Sequence, residues 1–165
     1  MDIQLLLYSL AIYSPALAAN GGATFISEGK PIDLGKSLRD GRRILGDGKT
    51  FEGFLFAMTF GSTVSIGIGR LLGEVWTFYG IMAALGALVG DMIGAFIKRR
   101  MGLKRGERAL GLDQLDFVLG STAFMLLAGA KITLVQFLFI ALLSFALHLV
   151  TNAAAYRLKI KRVPW

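Results

Sequence analysis

Residues 75–100 read VWTFYGIMAALGALVGDMIGAFIKRR, an apolar run that holds one carboxylate, Asp91, and closes on Lys98, Arg99 and Arg100. From Val75 to Ile97 the run exceeds the ~20 residues a helix needs to cross the hydrocarbon of a bilayer. A carboxylate at a bilayer centre costs about 2.5 to 3.5 kcal/mol on insertion scales, so a chain that keeps one there usually uses it. At 1.5 Å per residue, Asp91 lies about 24 Å from Val75, toward the basic end of the run. Gly86, Gly90 and Gly94 repeat at the small-xxx-small spacing that lets a second helix approach closely, and by themselves they mean packing. The plain alternative for Asp91 is a polar residue hydrogen-bonded inside a helix bundle.

The rest of the chain agrees with a membrane reading. Of 165 residues 55% are hydrophobic and the mean hydropathy is +0.62, more apolar surface than a soluble domain of this length needs for its core. Apolar spans fall at Ile3 to Ala19, Gly53 to Leu72, Val75 to Ile97, Leu115 to Ala130 and Ile132 to Tyr156. The expected fold is therefore an all-α integral membrane protein, five transmembrane helices with two polar cytoplasmic loops, forming one domain over 1–165. The fourth span is the shortest in uncharged residues, and crosses if its ends at Leu112 and Lys131 snorkel. Met1-Asp2-Ile3 lacks the basic start of a signal peptide, so the first span is expected to be retained. Trp76 and Tyr79 are expected at the outer interface.

Charge sets the expected orientation. Arg70 and Lys131 lie in the short connections on one side, and the other 16 of the 18 basic residues fall on the opposite side. Six lie between Asn20 and Glu52, six between Lys98 and Arg108, and four follow Ala155. The positive-inside rule then places both long loops and the C-terminus in the cytoplasm and the N-terminus outside, in the cell membrane. The net charge of +7 describes that one face and gives no reason to expect nucleic acid as a partner. With no cysteine, disulfides, thiolate metal sites and cysteine nucleophiles are excluded.

The acids and bases near Asp91 carry the chemistry. Leu112-Asp113-Gln114-Leu115-Asp116 places two further carboxylates three residues apart. Acids with oxygen ligands suit a hard cation, and the bases beside them suit phosphates. The loop from Asn20 contains Gly46-Asp47-Gly48-Lys49-Thr50, where glycines beside Lys and Thr let backbone approach phosphate oxygens. Arg43 stands where a Walker A loop has its first glycine, and no strand precedes it, so this is not a P-loop. The alternative for the loop is a basic patch facing anionic lipid, a role that gains nothing from Asp33, Asp40 and Asp47. His148 lies one helical turn before Asn152 and could meet a headgroup or a base, or simply sit hydrogen-bonded at the interface.

Three stretches together resemble a known family: Pro15-Ala16 with Ala19-Asn20, Asp33 to Gly53, and Gly90-Asp91 through Lys98-Arg99 to Asp113 and Asp116. The last is similar to the signature of the CDP-diacylglycerol synthases, and over nearly its whole length the chain resembles their shorter archaeal relatives, the CDP-archaeol synthases. Two departures from the bacterial signature stand out: Arg108-Ala109-Leu110-Gly111 replaces a Pro-Gly-His-Gly-Gly stretch, and Arg105 replaces an aspartate.

The resemblance implies a CTP-dependent lipid cytidylyltransferase. Its substrates would be CTP and unsaturated archaetidic acid, the 1-phosphate of 2,3-bis-O-geranylgeranylglycerol, and its products CDP-archaeol and pyrophosphate. It implies Mg²⁺ on Asp91, Asp113 and Asp116, and phosphates on Lys49, Lys98, Arg99 and Lys104. Asn20, Asp47, Gly48 and Thr50 would meet the nucleotide, and Asp91, Lys98, Arg99 and Lys49 would form the catalytic set. A small transporter for an ion or phosphate compound is the alternative, but its charges would sit near the midplane between repeated halves. A scaffold binding anionic lipid would leave the three aspartates without purpose.

Overall fold

Thr50 turns the chain out of the long loop and into a helix: its hydroxyl accepts the Gly53 N–H at 3.1 Å, and the side chain is only 3% exposed. The computed structural model describes residues 2–26 and 28–157, and builds five helices from them. These are α1 (Ile3–Gly22), α2 (Phe51–Leu72), α3 (Val75–Arg100), α4 (Leu112–Leu127) and α5 (Leu134–Arg157). No strand is present among the described residues, only the isolated bridges Pro31 to Thr50 and Ser37 to Arg43.

Helices α1, α2, α3 and α5 are long and apolar enough to cross a membrane. Their outer faces carry Leu7, Leu71, Leu134 and Leu142, each more than half exposed, as a surface in contact with hydrocarbon would. The sequence reading puts the fourth span at Leu115 to Ala130, whereas α4 runs from Leu112 to Leu127 and, at 16 residues, is about 24 Å long. Its start moves because Gln114 accepts the Gly111 N–H at 2.7 Å and Gly111 takes φ +84°. Its end moves because Gly129, at φ +96°, lets the Ala130 N–H close on the Met125 carbonyl. The fifth helix starts at Leu134 and not Ile132, since Thr133 and Gln136 cap it reciprocally at 2.8 and 3.3 Å.

α1 contributes to the interior. Tyr13 is fully buried and shares a 2.7 Å hydrogen bond with Thr122 of α4. Pro15 cannot donate to the Ala11 carbonyl, and the Ser14 hydroxyl fills that role at 2.7 Å. α3 is central, packed on α1, α2 and α4, while α5 closes against α4 and α1. Ser144 of α5 donates to the Gln114 carbonyl at 2.8 Å, tying α5 to the first turn of α4.

Helices α3 and α4 meet backbone against backbone. A Cβ built on Gly86 would lie 2.4 Å from the Gly120 carbonyl oxygen, and one on Gly90 would lie 2.2 Å from that of Asp116. A Cβ on Gly120 would lie 2.2 Å from the Gly86 oxygen. The two backbones thus touch where the sequence shows its repeated glycines. Overpacking of this kind costs about 1 to 3 kcal/mol. Gly90→Ala should therefore lower the thermal midpoint of the detergent-purified protein by several degrees, whereas Gly67→Ala, with open space at its Cβ inside α2, should not lower it.

Candidate active site

The end of α1, the start of α2, the end of α3 and the start of α4 meet at one end of the bundle, under the two polar loops. Asp91 forms an ion pair there with Lys49 of the first loop, and Lys98 forms one with Asp113 at 2.8 Å. The second Asp113 oxygen accepts the Ala109 N–H at 2.9 Å, so this carboxylate also pins the second loop. Asp116 accepts its neighbour Phe117's N–H at 2.6 Å and lies against Gly94, where a Cβ would come within 2.2 Å of its Oδ2. Gly94 is three residues beyond Asp91, on the same face of α3, so the missing side chain brings the Asp116 carboxylate alongside Asp91.

Three cavities follow one another at this end. The largest, about 350 Å³, is bordered by Asn20, Lys49, Thr50, Asp91, Asp113, Asp116 and His148, with Ile26, Ile32, Phe54, Leu88 and Met92 as apolar wall. A second, about 150 Å³, shares the three aspartates and Lys49 and adds Asp47, Lys98 and Arg99. A third, about 290 Å³, is bordered mainly by Arg42, Arg43, Arg99, Lys104 and Arg105. The expected site residues Asn20, Gly48, Lys49, Thr50, Asp91, Asp113 and Asp116 thus face one space, Asp47, Lys98 and Arg99 the adjoining one, and Lys104 the outermost.

Lys49 reaches Asp91 because the first loop is folded. Its outer rung joins Ile32 N–H to the Lys49 carbonyl at 2.8 Å and Phe51 N–H to Lys30 at 3.0 Å. The inner rung joins Leu38 to Arg42 and Ile44 to Lys36. Asp33 is the hub between them. One of its oxygens accepts from Gly35 N–H and Arg43 Nη2, the other from Arg43 Nε and the N–H groups of Leu45 and Gly46, all within 3.2 Å. Burial alone would push the Asp33 carboxyl up, but Arg43 and these backbone donors outweigh it and hold it well below the usual carboxylate range.

Arg100 fastens the loop to α3. Its Nη1 donates to both Asp40 oxygens at 2.7 Å, its Nη2 to the Arg42 and Arg43 carbonyls, and its guanidinium lies 5.2 Å from the centre of the Phe96 ring. Arg42 donates back to the Arg100 carbonyl. The loop acids that a lipid-facing patch would not need are therefore the loop's own ties: Asp33 and Asp47 to Arg43, Asp40 to Arg100.

Some residues hold other duties than those expected. The Thr50 hydroxyl caps α2, and Asp47 is paired with Arg43 at 2.6 Å. His148 faces the largest cavity with its ring 6.4 Å from that of Phe117, while the Asn152 side chain and the basic residues Lys159, Lys161 and Arg162 lie outside the described residues. Arg105, absent from the expected set, borders all three cavities and runs beside Gly48; its mismatch to the bacterial signature was the signal to look there. Arg100 was legible only as one more base in a basic run.

Among the described residues no three carboxylate or histidine side chains converge on one point. The donor set nevertheless suits a hard cation: three carboxylates around one cavity, oxygen donors only, with Gly94 leaving room for Asp116 beside Asp91. Lys49 and Lys98 balance two of those carboxylates in this arrangement.

Against known proteins, a family profile described as CarS-like, CDP-archaeol synthase, matches residues 2–165. The chain is 52% identical to a CDP-archaeol synthase of Sulfurisphaera tokodaii, covering 99% of this chain and 98% of that one. It is 56% identical to one of Sulfolobus acidocaldarius, over 97% and 98%. A solved structure, described as structural insight into an intramembrane enzyme for archaeal membrane lipids biosynthesis, superposes with a TM-score of 0.85 at 39% identity, covering 89% of this chain and 94% of that one.

The Asp33 hub carries a pH consequence. A carboxyl held below its ordinary pKa of about 3.9 contributes stability that is complete above that value and is lost as pH falls through the lower, folded value. Asp33→Asn should accelerate tryptic cleavage at Lys36, Arg39 and Arg42 at pH 7. A protease active in acid should cut the wild-type loop slowly at pH 4, with the difference between the two proteins closing only at lower pH.

Proposed function

The chain belongs to the CDP-archaeol synthase family, and from that premise we propose that the aspartate-lined cavity transfers a cytidylyl group from CTP to an unsaturated archaetidic acid. The observation that carries the reading is the pair of lysine–carboxylate contacts, Lys49 to Asp91 and Lys98 to Asp113, at a cavity that Asp116 also faces. Acids and bases alternate there as a metal–triphosphate complex requires.

A lipid phosphomonoester has a second pKa near 6, so its nucleophilic oxygen is already deprotonated at neutral pH. That oxygen forms a bond to the α-phosphorus of CTP, the bond from that phosphorus to the α,β-bridging oxygen breaks, and the electron pair leaves with pyrophosphate. No strong general base is needed, in keeping with a site whose only histidine stands at the cavity wall. What the chain must do is offset crowded charge and align attacking and leaving oxygens. Lys49 and Lys98 exchange their carboxylate partners for phosphate oxygens, and Arg99 adds a fork of donors. Gly48 lets the backbone come close, and Asn20, Asp47 and Thr50 border the nucleotide. Asp91, Asp113 and Asp116 would hold Mg²⁺, which when bound neutralises phosphate charge and polarises phosphoryl oxygens.

The apolar wall of the largest cavity suits an acceptor whose two chains remain in the bilayer. We read the whole chain as one membrane-embedded domain of five crossings, with α4 spanning by means of its flanking residues. The charged end then faces the cytoplasm, where CTP is found, and the N-terminus lies outside. Single cysteines at Ser37 and Gly106 should label from one side of sealed vesicles and one at Gly73 from the other. Labelling of Ser37 and Gly106 from opposite faces would overturn this topology.

Pyrophosphate release on mixing purified protein, Mg²⁺, CTP and geranylgeranyl diether phosphate tests the activity. Asp91→Asn, Asp113→Asn and Asp116→Asn should each remove most of it while extraction behaviour stays the same, because an amide is a poorer Mg²⁺ ligand than a carboxylate. Full turnover in any of the three strikes that residue from the metal set.

A further inference from the structure

Residues 45–49 of the first loop border the middle cavity, and so do Asp91, Ala95, Lys98 and Arg99 of α3, so the cavity keeps its walls while the loop lies against that helix. Two ties hold it there. One is the ion pair of Lys49 with Asp91, inside the cavity. The other is centred on Asp40 and Arg100, which border none of the three cavities at this end.

This outer tie is built on the end of α3. Gly102, at φ +81°, terminates the helix, and the Leu103 N–H closes back on the Lys98 carbonyl at 3.0 Å. A Cβ on Gly102 would lie 3.3 Å from the Arg42 guanidinium, so the missing side chain lets Arg42 sit over the helix end. Arg42 donates there to the Arg100 carbonyl, one of the last-turn acceptors that an α-helix leaves without an internal partner, and its positive charge is favourable at that pole. Arg100 answers with its own side chain, donating to the Arg42 carbonyl at 3.1 Å, to the Arg43 carbonyl and to both Asp40 oxygens. A lone ion pair as exposed as this one contributes little. Here backbone and side chain are exchanged in both directions, and the bonds are charge-assisted, so they act together as a clasp on the tip of the loop.

Resting on the cytidylyl-transfer reading, we propose that Asp40, Arg42 and Arg100 are positioning residues, which hold the first loop on α3 as a wall of the middle cavity while Lys49 leaves Asp91 for a phosphate. That exchange removes the inner tie. The outer one keeps the Gly48 backbone and the Lys49 side chain in register with the carboxylates of α3 and α4.

The native chain has no cysteine, so a single one introduced as Ala95→Cys, on the α3 wall, reports whether the loop covers it. Its reaction with a charged thiol reagent should become about tenfold faster when Arg100→Gln or Asp40→Asn is added, the opening that follows loss of one charge-assisted hydrogen bond. Arg39→Gln, at a neighbouring base with no ion pair among the described residues, should leave the rate unchanged. Ala83→Cys, in the buried core, should stay unreactive in every background. Unchanged Ala95→Cys rates in both clasp variants, or equal acceleration at Ala83→Cys, overturns the proposal. Turnover supplies a rescue. Asp40→Cys/Arg100→Cys should release pyrophosphate slowly, and joining the two thiols with a short bis-maleimide should restore most of the wild-type rate, because a covalent tie can replace a positioning contact and not a chemical one. A linked protein that stays slow overturns the positioning role. Labelling that depends on the clasp in a wild-type chain without CTP turnover upholds the clasp and removes the reaction assigned to the cavity.

Discussion

Backbone contact between α3 and α4 is the constraint on which the site depends. Gly86, Gly90 and Gly94 on one helix meet Asp116 and Gly120 on the other with no room for a Cβ at the central positions. Between apolar helices in a bilayer no hydrophobic force distinguishes one pairing from another, so close fit and polar contacts must. Here the fit also determines chemistry. Any side chain at Gly94 would displace the Asp116 carboxylate from its place beside Asp91, and the two acids would no longer share a cavity. A motif whose plain reading is packing is thus also what brings the carboxylates together.

The first loop solves a second problem, that of holding Lys49 over α3 with no sheet among the described residues to support it. Its means are electrostatic. Asp33 is only 6% exposed and gathers five donors, Arg43 bridges it to Asp47, and Arg100 spans from the helix to Asp40 and two loop carbonyls. A buried carboxylate is costly unless its oxygens are satisfied, and here nearly every lone pair is engaged. Loop and helix end are bound by charge-assisted bonds of the stronger sort, and none of these ties uses Lys49 or Lys98.

Sequence patterning showed the helices and the acids, because both leave periodic or compositional marks. Apolar runs identified all five helices, and the order of Asp91, Lys98, Asp113 and Asp116 pointed to one end of the bundle. Helix ends were less legible, since Gln114 closing on Gly111, and Thr133 on Gln136, depend on side-chain geometry that apolar counting does not register. The ties were hidden for another reason. Asp33, Asp40 and Arg100 are ordinary members of charged stretches until a fold pairs residues 60 apart, as Arg100 and Asp40 are. Arg105 departs from a related signature, and only three dimensions reveal that it borders all three cavities at this end.

The sequence of cavities follows from the solvents at either end. One reactant keeps long apolar chains and the other a polyanion, and no single environment can hold both: apolar walls strip water from phosphates at high cost, while an open basic surface gives hydrocarbon nothing to bury against. A site serving both must therefore be graded. Ile26, Phe54, Leu88 and Met92 line one end, the three aspartates and their lysines the middle, and Arg42 with Lys104 the other. Charge changes sign along that path as well, from the carboxylates of the middle space to the arginines and lysine of the outer one, so that a cation and an anion are favoured at different points of one path.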